Sequence, residues 1–352
     1  MTKNRRPLTP ILIALIAVAP AAAHPDGHHG AASIPVSSIG AASADLHADE
    51  HRLVYEPVLG WCRLPDERAL GNTHGGIVID AQGRVYYNTD TDRSIMVHRP
   101  GGAFVKSIAS DHPAIHGMAL RTERNEAGFD EQFIYAAHLG GKQVVKLSLD
   151  GEVLWTLGVP TESGHYDGKG YNPTAVAVAP NGHVYVADGY GQNWIHQFDE
   201  DRTYVRSFGG PGEEPGRFRT CHGMIIDERT EEPTLLVCDR ENRRLQRFAL
   251  DGSFIGVVAT GLRRPCSLSV WGEYTAVAEL EGRVTVLDGD FEAVAHPGDN
   301  PDRSQWAQNG VPPENWTEGV FTAPHGVCFD RDGNLYVMDW NRLGRVNRLA
   351  RR

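Results

Sequence analysis

The strongest constraint on this chain is a unit that repeats along most of its length. The inner half of the unit is a short apolar strand, a polar turn and a second strand. Ile79-Asp80-Ala81-Gln82-Gly83-Arg84-Val85-Tyr86-Tyr87 is one copy; Phe329-Asp330-Arg331-Asp332-Gly333-Asn334-Leu335-Tyr336-Val337 is another. The Asp-Gly and Asn-Gly pairs in such copies are hairpin signals. The outer half is a second hairpin, as in Val144–Trp155 and Leu245–Phe254. Six outer hairpins begin near Ser94, Gln143, Trp194, Arg244, Arg283 and Arg345. Four strands per unit and six units describe an all-β, six-bladed β-propeller, and the period-two pattern excludes a helical bundle. The sixth unit stops at Leu349, before its fourth strand, while Leu53–Leu59 stands ahead of the first complete unit. Pairing of that N-terminal strand with the last blade is expected to close the ring and remove a sheet edge.

The flanks have a different character. Lys3, Arg5 and Arg6 precede an apolar run from Ile11 to Val18 and the small residues Ala21–Ala23. This reads as a signal peptide over 1–23 and implies a secreted or periplasmic protein. Residues 24–50 read as a disordered, His-containing tail, leaving 51–352 for the propeller. No later segment could cross a membrane. A formal net charge of −11 without a basic stripe argues against nucleic acid as a partner. Five cysteines are too few to frame the fold, and the odd count leaves at least one unpaired thiol within the chain. Residues 297–322, with Trp306 and Trp316, form a long insertion that reads as a lid.

Three units open their innermost strand with the same dipeptide: His116-Gly117, His222-Gly223 and His325-Gly326. A single His-Gly at a strand start is ordinary turn chemistry. Recurrence in the second, fourth and sixth units is different, because alternate blades lie about a third of a turn apart around the axis. Three imidazoles at one depth are expected to converge on the channel, the donor set of a catalytic zinc with an open fourth position. The intervening units carry Gly75 (with His74 one position earlier), Thr174 and Cys266 at this level. Asp188-Gly189-Tyr190 and Asp239-Arg240-Glu241-Asn242 end second strands and so fall on the histidine rim. A phenol beside a metal and an arginine can act as a general base.

These residues resemble the NHL-repeat propellers, and among them the peptidyl-hydroxyglycine lyase family, the lyase half of the peptide-amidating enzyme. The likeness covers most of 53–349 and is strongest from Asn172 to Phe248, through Asn172-Pro173-Thr174, Asp188-Gly189-Tyr190, Pro215-Gly216-Arg217-Phe218 and Asp239-Arg240-Glu241-Asn242. The resemblance implies zinc held by His116, His222 and His325, a catalytic Tyr190 and an active-site Arg240. It departs from the family at three places. Thr89 stands where the family has a substrate-gripping arginine, with Arg93 nearby; Gly326 replaces an aspartate that helps hold a structural calcium; Gly191 replaces a disulfide cysteine.

Three functional readings are open. The first is a zinc-dependent lyase that cleaves the C–N bond of a carbinolamide such as a peptidyl-2-hydroxyglycine, a small-molecule or peptide substrate, releasing glyoxylate and an amide. The second is a non-catalytic propeller that binds a ligand or a partner protein on the same face. The third is metal handling through the tail that begins His24-Pro25-Asp26-Gly27-His28-His29.

Overall fold

Strands with apolar residues at both parities need a cover on both faces, and in this protein neighbouring sheets supply it. The computed structural model describes residues 53–64, 69–125 and 127–352; the expected leader (1–23) and tail (24–50) lie outside the described residues. Within these there are twenty-four strands in six four-stranded antiparallel sheets, the blades of a six-bladed β-propeller. The innermost strands are Thr73–Ile79, Ile115–Arg124, Ala175–Val178, Cys221–Asp227, Pro265–Trp271 and Pro324–Phe329, each packed beside the next around the axis. Blades 1 to 6 are named below in that order.

Each apolar cluster lies between two blades. Tyr86 and Ile95 of blade 1 pack with Ile115 and Ile134 of blade 2. The adjacent residues Tyr87 and Met96 point the other way, to Tyr336 and Met338 of blade 6. Period-two alternation thus gives the inner strands two apolar faces, one for each neighbour, while the outermost strands are partly exposed.

Blade 6 is composite. Tyr55–Pro57 pairs antiparallel with Arg345–Arg351, with Tyr55 opposite Arg351 and Pro57 opposite Leu349. The Val58 N–H donates to Arg348 C=O at 2.8 Å and the Arg352 N–H to Val54 C=O at 2.9 Å. Pro57 lacks a donor and lies on the edge strand, where none is needed.

The inner hairpins differ in detail from a two-residue Asp-Gly or Asn-Gly turn. In blade 1 the Gly83 N–H donates to Asp80 C=O at 2.9 Å and the Asp80 N–H to Arg84 C=O at 3.0 Å. Gly83 has φ +76°, and Gly182 and Gly333 repeat that conformation, while Asn181 and Asp332 before them do not. These are three-residue loops with one left-handed glycine. The carboxylate of Asp80 fixes the loop by accepting the Gln82 and Arg84 N–H groups.

The insertion at 297–322 joins blade 5 to blade 6 on the histidine face. Its tryptophans are anchors. Trp306 Nε1–H donates to Asn300 C=O at 2.9 Å and its ring lies 4.2 Å from the Arg263 guanidinium. Trp316 Nε1–H donates to Val311 C=O at 2.9 Å, with Arg345 over its ring. Ala307 of the insertion packs with Trp340 against Cys266, Leu280 and Ala323. All five cysteines are free thiols. Among the described residues no helix is long and apolar enough to cross a membrane.

Candidate metal centre

The architecture brings His116, His222 and His325 together. Their ring centroids are 4.7 Å (116 to 222), 5.1 Å (116 to 325) and 4.5 Å (222 to 325) apart. All three side chains are buried. They stand at one level of an axial cavity of about 50 Å³, which Gly75, Thr174 and Cys266 complete from the odd-numbered blades. Below it the channel widens into a cavity of about 350 Å³ lined by apolar residues such as Val78, Leu120, Ile226 and Phe329 and by the ion pair of Arg121 and Glu228.

The glycine after each histidine has a structural reason that turn chemistry does not supply. Gly117, Gly223 and Gly326 are not at positive φ. A Cβ on Gly117 would lie 2.5 Å from Thr174 C=O, one on Gly223 2.3 Å from Cys266 C=O, and one on Gly326 2.5 Å from Gly75 C=O. Only glycine lets an even blade press against the main chain of the next odd blade at this depth. That approach orients the rings: His116 Nδ1 is 2.6 Å from Thr174 C=O and His222 Nδ1 is 2.7 Å from Cys266 C=O. A carbonyl can only accept, so each Nδ1 carries the proton and each Nε2 keeps its lone pair. A cation needs that tautomer, and a backbone acceptor behind a ligating histidine is its usual support. The donor set therefore fits a divalent metal.

Tyr190 and Arg240 join the same site from blades 3 and 4. The Tyr190 hydroxyl lies 2.9 Å from His222 Nε2 and accepts from Arg240 Nη1 at 3.1 Å. Because His222 Nε2 is the unprotonated nitrogen, the hydroxyl donates to it. Arg240 is 1% exposed, its Nε donates to Glu241 at 2.8 Å, and its guanidinium lies over the Tyr190 ring.

Buried carboxylates shape the loops that carry these groups. Asp188 accepts the Asn172 and Gln192 N–H groups, each at 2.6 Å, and the Tyr166 hydroxyl at 2.8 Å. Burial pushes its pKa up to about 6, while those donors pull it down. Asn172 in turn donates from Nδ2 to Tyr190 C=O at 3.1 Å. A Cβ on Gly189 would lie 2.1 Å from Cys221 C=O, so the turn that aims Tyr190 also needs its glycine. Asp239 does the same work in blade 4, accepting the Arg219 N–H and the Asn242 and Arg244 side chains; burial raises its pKa. Asp339 accepts the Thr322 and Ala323 N–H groups just ahead of His325.

His74, which the repeat puts one position out of phase, and Cys266, which it puts at this level, both come within ligand distance of the histidines. The His74 ring is 4.7 Å from His116 and 5.3 Å from His325. The ligand atoms of His74, His116 and His325 all lie within 4.8 Å of one another, as do those of His222, Cys266 and His325. By contrast Thr89 is fully buried within blade 1, its hydroxyl on Thr91 and Ser94. Arg93 is buried near the Tyr87 side of that blade.

Comparison with known proteins agrees with this architecture. The NHL repeat family matches residues 171–198. A probable peptidyl-alpha-hydroxyglycine alpha-amidating lyase of Caenorhabditis elegans is 32% identical over 208 residues, 58% of this chain and 57% of that protein. The peptidylglycine alpha-amidating monooxygenase of Rattus norvegicus is 32% identical over 237 residues, 64% of this chain and 22% of that protein. The matches thus span about half of the first relative and about a fifth of the second. Among solved structures, a streptogramin B lyase superposes with TM-score 0.54 at 14% identity, over 86% of this chain and 98% of that one. XC5397 from Xanthomonas campestris, described as a gluconolactonase, superposes with TM-score 0.55 at 15% identity, over 89% and 99%. At such identities the structures speak for the fold alone. The chain is a six-bladed β-propeller that matches an NHL repeat over residues 171–198 and, over about three fifths of its length, is similar to proteins named as peptidyl-hydroxyglycine amidating enzymes.

Proposed function

We propose that this protein is an exported, zinc-dependent lyase that cleaves the C–N bond of a carbinolamide of the N-acyl-2-hydroxyglycine type. The observation that carries the reading is the Tyr190 hydroxyl, 2.9 Å from His222 Nε2 and 3.1 Å from Arg240 Nη1, beside three converging imidazoles. The relatives named as amidating lyase and monooxygenase point to the same class. The basic, apolar and small-residue succession over 1–23 supports export.

Zinc on the Nε2 atoms of His116, His222 and His325 would take the His222 lone pair to which the Tyr190 hydroxyl donates here, releasing that hydroxyl, and would supply the Lewis acidity that makes a carbinol hydroxyl easier to deprotonate. The residues of the chain do the rest. Tyr190, as phenolate, takes the hydroxyl proton. The oxygen electron pair forms the C=O bond, the C–N pair leaves with nitrogen, and Tyr190 returns the proton to that nitrogen. One hydroxy compound becomes one 2-oxo acid and one amide, with no net change in protons. Arg240 favours the anionic state of the phenol through a buried cationic donor at 3.1 Å. Burial of Thr89 in blade 1 takes its side chain away from any substrate carboxylate, so the substrate is expected to differ there from amidated-hormone precursors.

The test is release of glyoxylate or a related 2-oxo acid from a panel of N-acyl-2-hydroxyglycines by zinc-loaded protein. Tyr190→Phe should cut turnover on the order of a hundredfold or more while zinc content stays unchanged. Zinc-loaded protein that cleaves none of the panel would leave a binding propeller as the better description.

A further inference from the structure

Blade 1 departs from the other blades at the depth of the metal centre, and the departure brings in a fourth imidazole. The innermost strands of blades 1, 2, 4, 5 and 6 bulge as they enter the channel, while that of blade 3 pairs without a shift. In blade 2, Ile115 to Met118 lies opposite His138 to Ala136; in blade 4, Cys221 to Met224 lies opposite Asp239 to Val237. In blade 1, Thr73 to Ile77 lies opposite Thr89 to Tyr87, so this bulge holds one residue more. Gly75 absorbs the extra length at φ +99°, a conformation that side chains rarely adopt. The added residue is His74.

His74 sits across the His116–His325 edge, forming a second triangle of ligand atoms that shares both rings with the first. Behind it, His74 Nδ1 faces Asp90 Oδ2 at 3.4 Å. Asp90 is itself tied down: its N–H donates to Asn72 C=O at 2.8 Å, and Asn72 Nδ2 donates to its carboxylate. A carboxylate behind one imidazole nitrogen, with the other turned toward neighbouring imidazoles, is the outer arrangement of a metal-ligating histidine.

We propose that His74 is a fourth protein ligand of the axial metal and that Asp90 is its positioning residue. The proposal rests on the three-histidine centre and adds blade 1 to it. Four imidazoles from blades 1, 2, 4 and 6 would complete a four-coordinate shell at rest, so a substrate hydroxyl would reach the metal by expanding that shell or by displacing His74.

X-ray absorption on the zinc-loaded full chain would count the imidazole scatterers, with cobalt substitution reporting geometry through its visible spectrum. The expected count is four for the natural chain and three for His74→Ala, with zinc affinity reduced at least about tenfold in the variant. Asp90→Asn, which leaves the ligand in place, should keep four imidazoles and weaken zinc by a smaller factor. A natural chain with three imidazoles would overturn the role of His74 and leave the three-histidine centre standing. A natural chain that binds no zinc would overturn both.

Discussion

The even and odd blades share one fold and divide one task. Blades 2, 4 and 6 put an imidazole on the axis, and blades 3 and 5 meet two of those imidazoles with a main-chain carbonyl, at Thr174 and Cys266. The difference between the two kinds of blade is small in covalent terms: a His-Gly in place of Thr174-Ala175 or Cys266-Ser267. Its effect is large because the glycine lets the even blade approach until the carbonyl can fix the ring. Blade 1 is the exception. It offers Gly75 to His325 in the odd-blade position, with its would-be Cβ 2.6 Å from His325 Nδ1, and also a histidine of its own. A repeat that looks sixfold in its strands is therefore lower in symmetry at its centre, and chemistry enters where the symmetry drops.

The sharpest break of this division is His222→Ala, which removes an even-blade ligand and the acceptor for the Tyr190 hydroxyl. Zinc affinity should fall by more than about a hundredfold, since outer-shell partners alone are commonly worth about ten- to a hundredfold; competition titration against a chelator measures it, and unchanged affinity would remove His222 from the centre. Next comes Gly223→Ala, which keeps every ligand and spoils the approach. A Cβ 2.3 Å from Cys266 C=O must push blades 4 and 5 apart, at a cost of about 1–3 kcal/mol, and should weaken zinc as well. Gly256→Ala, where a Cβ meets nothing within 4 Å, is the control; equal melting temperatures for the two variants would defeat the packing explanation. The smallest effect is expected from Cys266→Ala. If blade 5 contributes only its carbonyl, zinc content should match the natural chain, whereas a clear loss in elemental analysis would make the thiol a ligand and blur the line between odd and even blades.

Much of this organisation could be read from the amino acids alone. Hairpin spacing carried the six blades, because period-two strands of this density have few other ways to hide two apolar faces. The unpaired segment at Leu53–Leu59 pointed to the composite blade, and three His-Gly pairs in alternate units marked one level of the axis. Backbone partners were harder to see. Thr174 and Cys266 face the imidazoles with their carbonyls, which every residue type has and which a sequence pattern does not mark. The glycines after the histidines read as turn formers and instead serve close approach between blades. His74 was one residue out of phase, and only the longer bulge in blade 1 moves it into place. Trp306 and Trp316 suggested a cover, while their indole N–H groups are spent fastening the insertion to itself.

The composite sixth blade has a consequence for the order in which the protein becomes functional. His325 lies in the sheet completed by Tyr55–Pro57, a strand made long before the Arg345–Arg351 strand with which it pairs. A nascent chain that ends before Pro324 can fold several blades and still lack the third imidazole. Such long-range pairing is slow relative to local hairpins, so full metal affinity would arise late, when these two strands meet. Zinc uptake would then act as a timer for ring closure, and the free energy of capturing the ion would be added to the seam where an open ring would otherwise come apart.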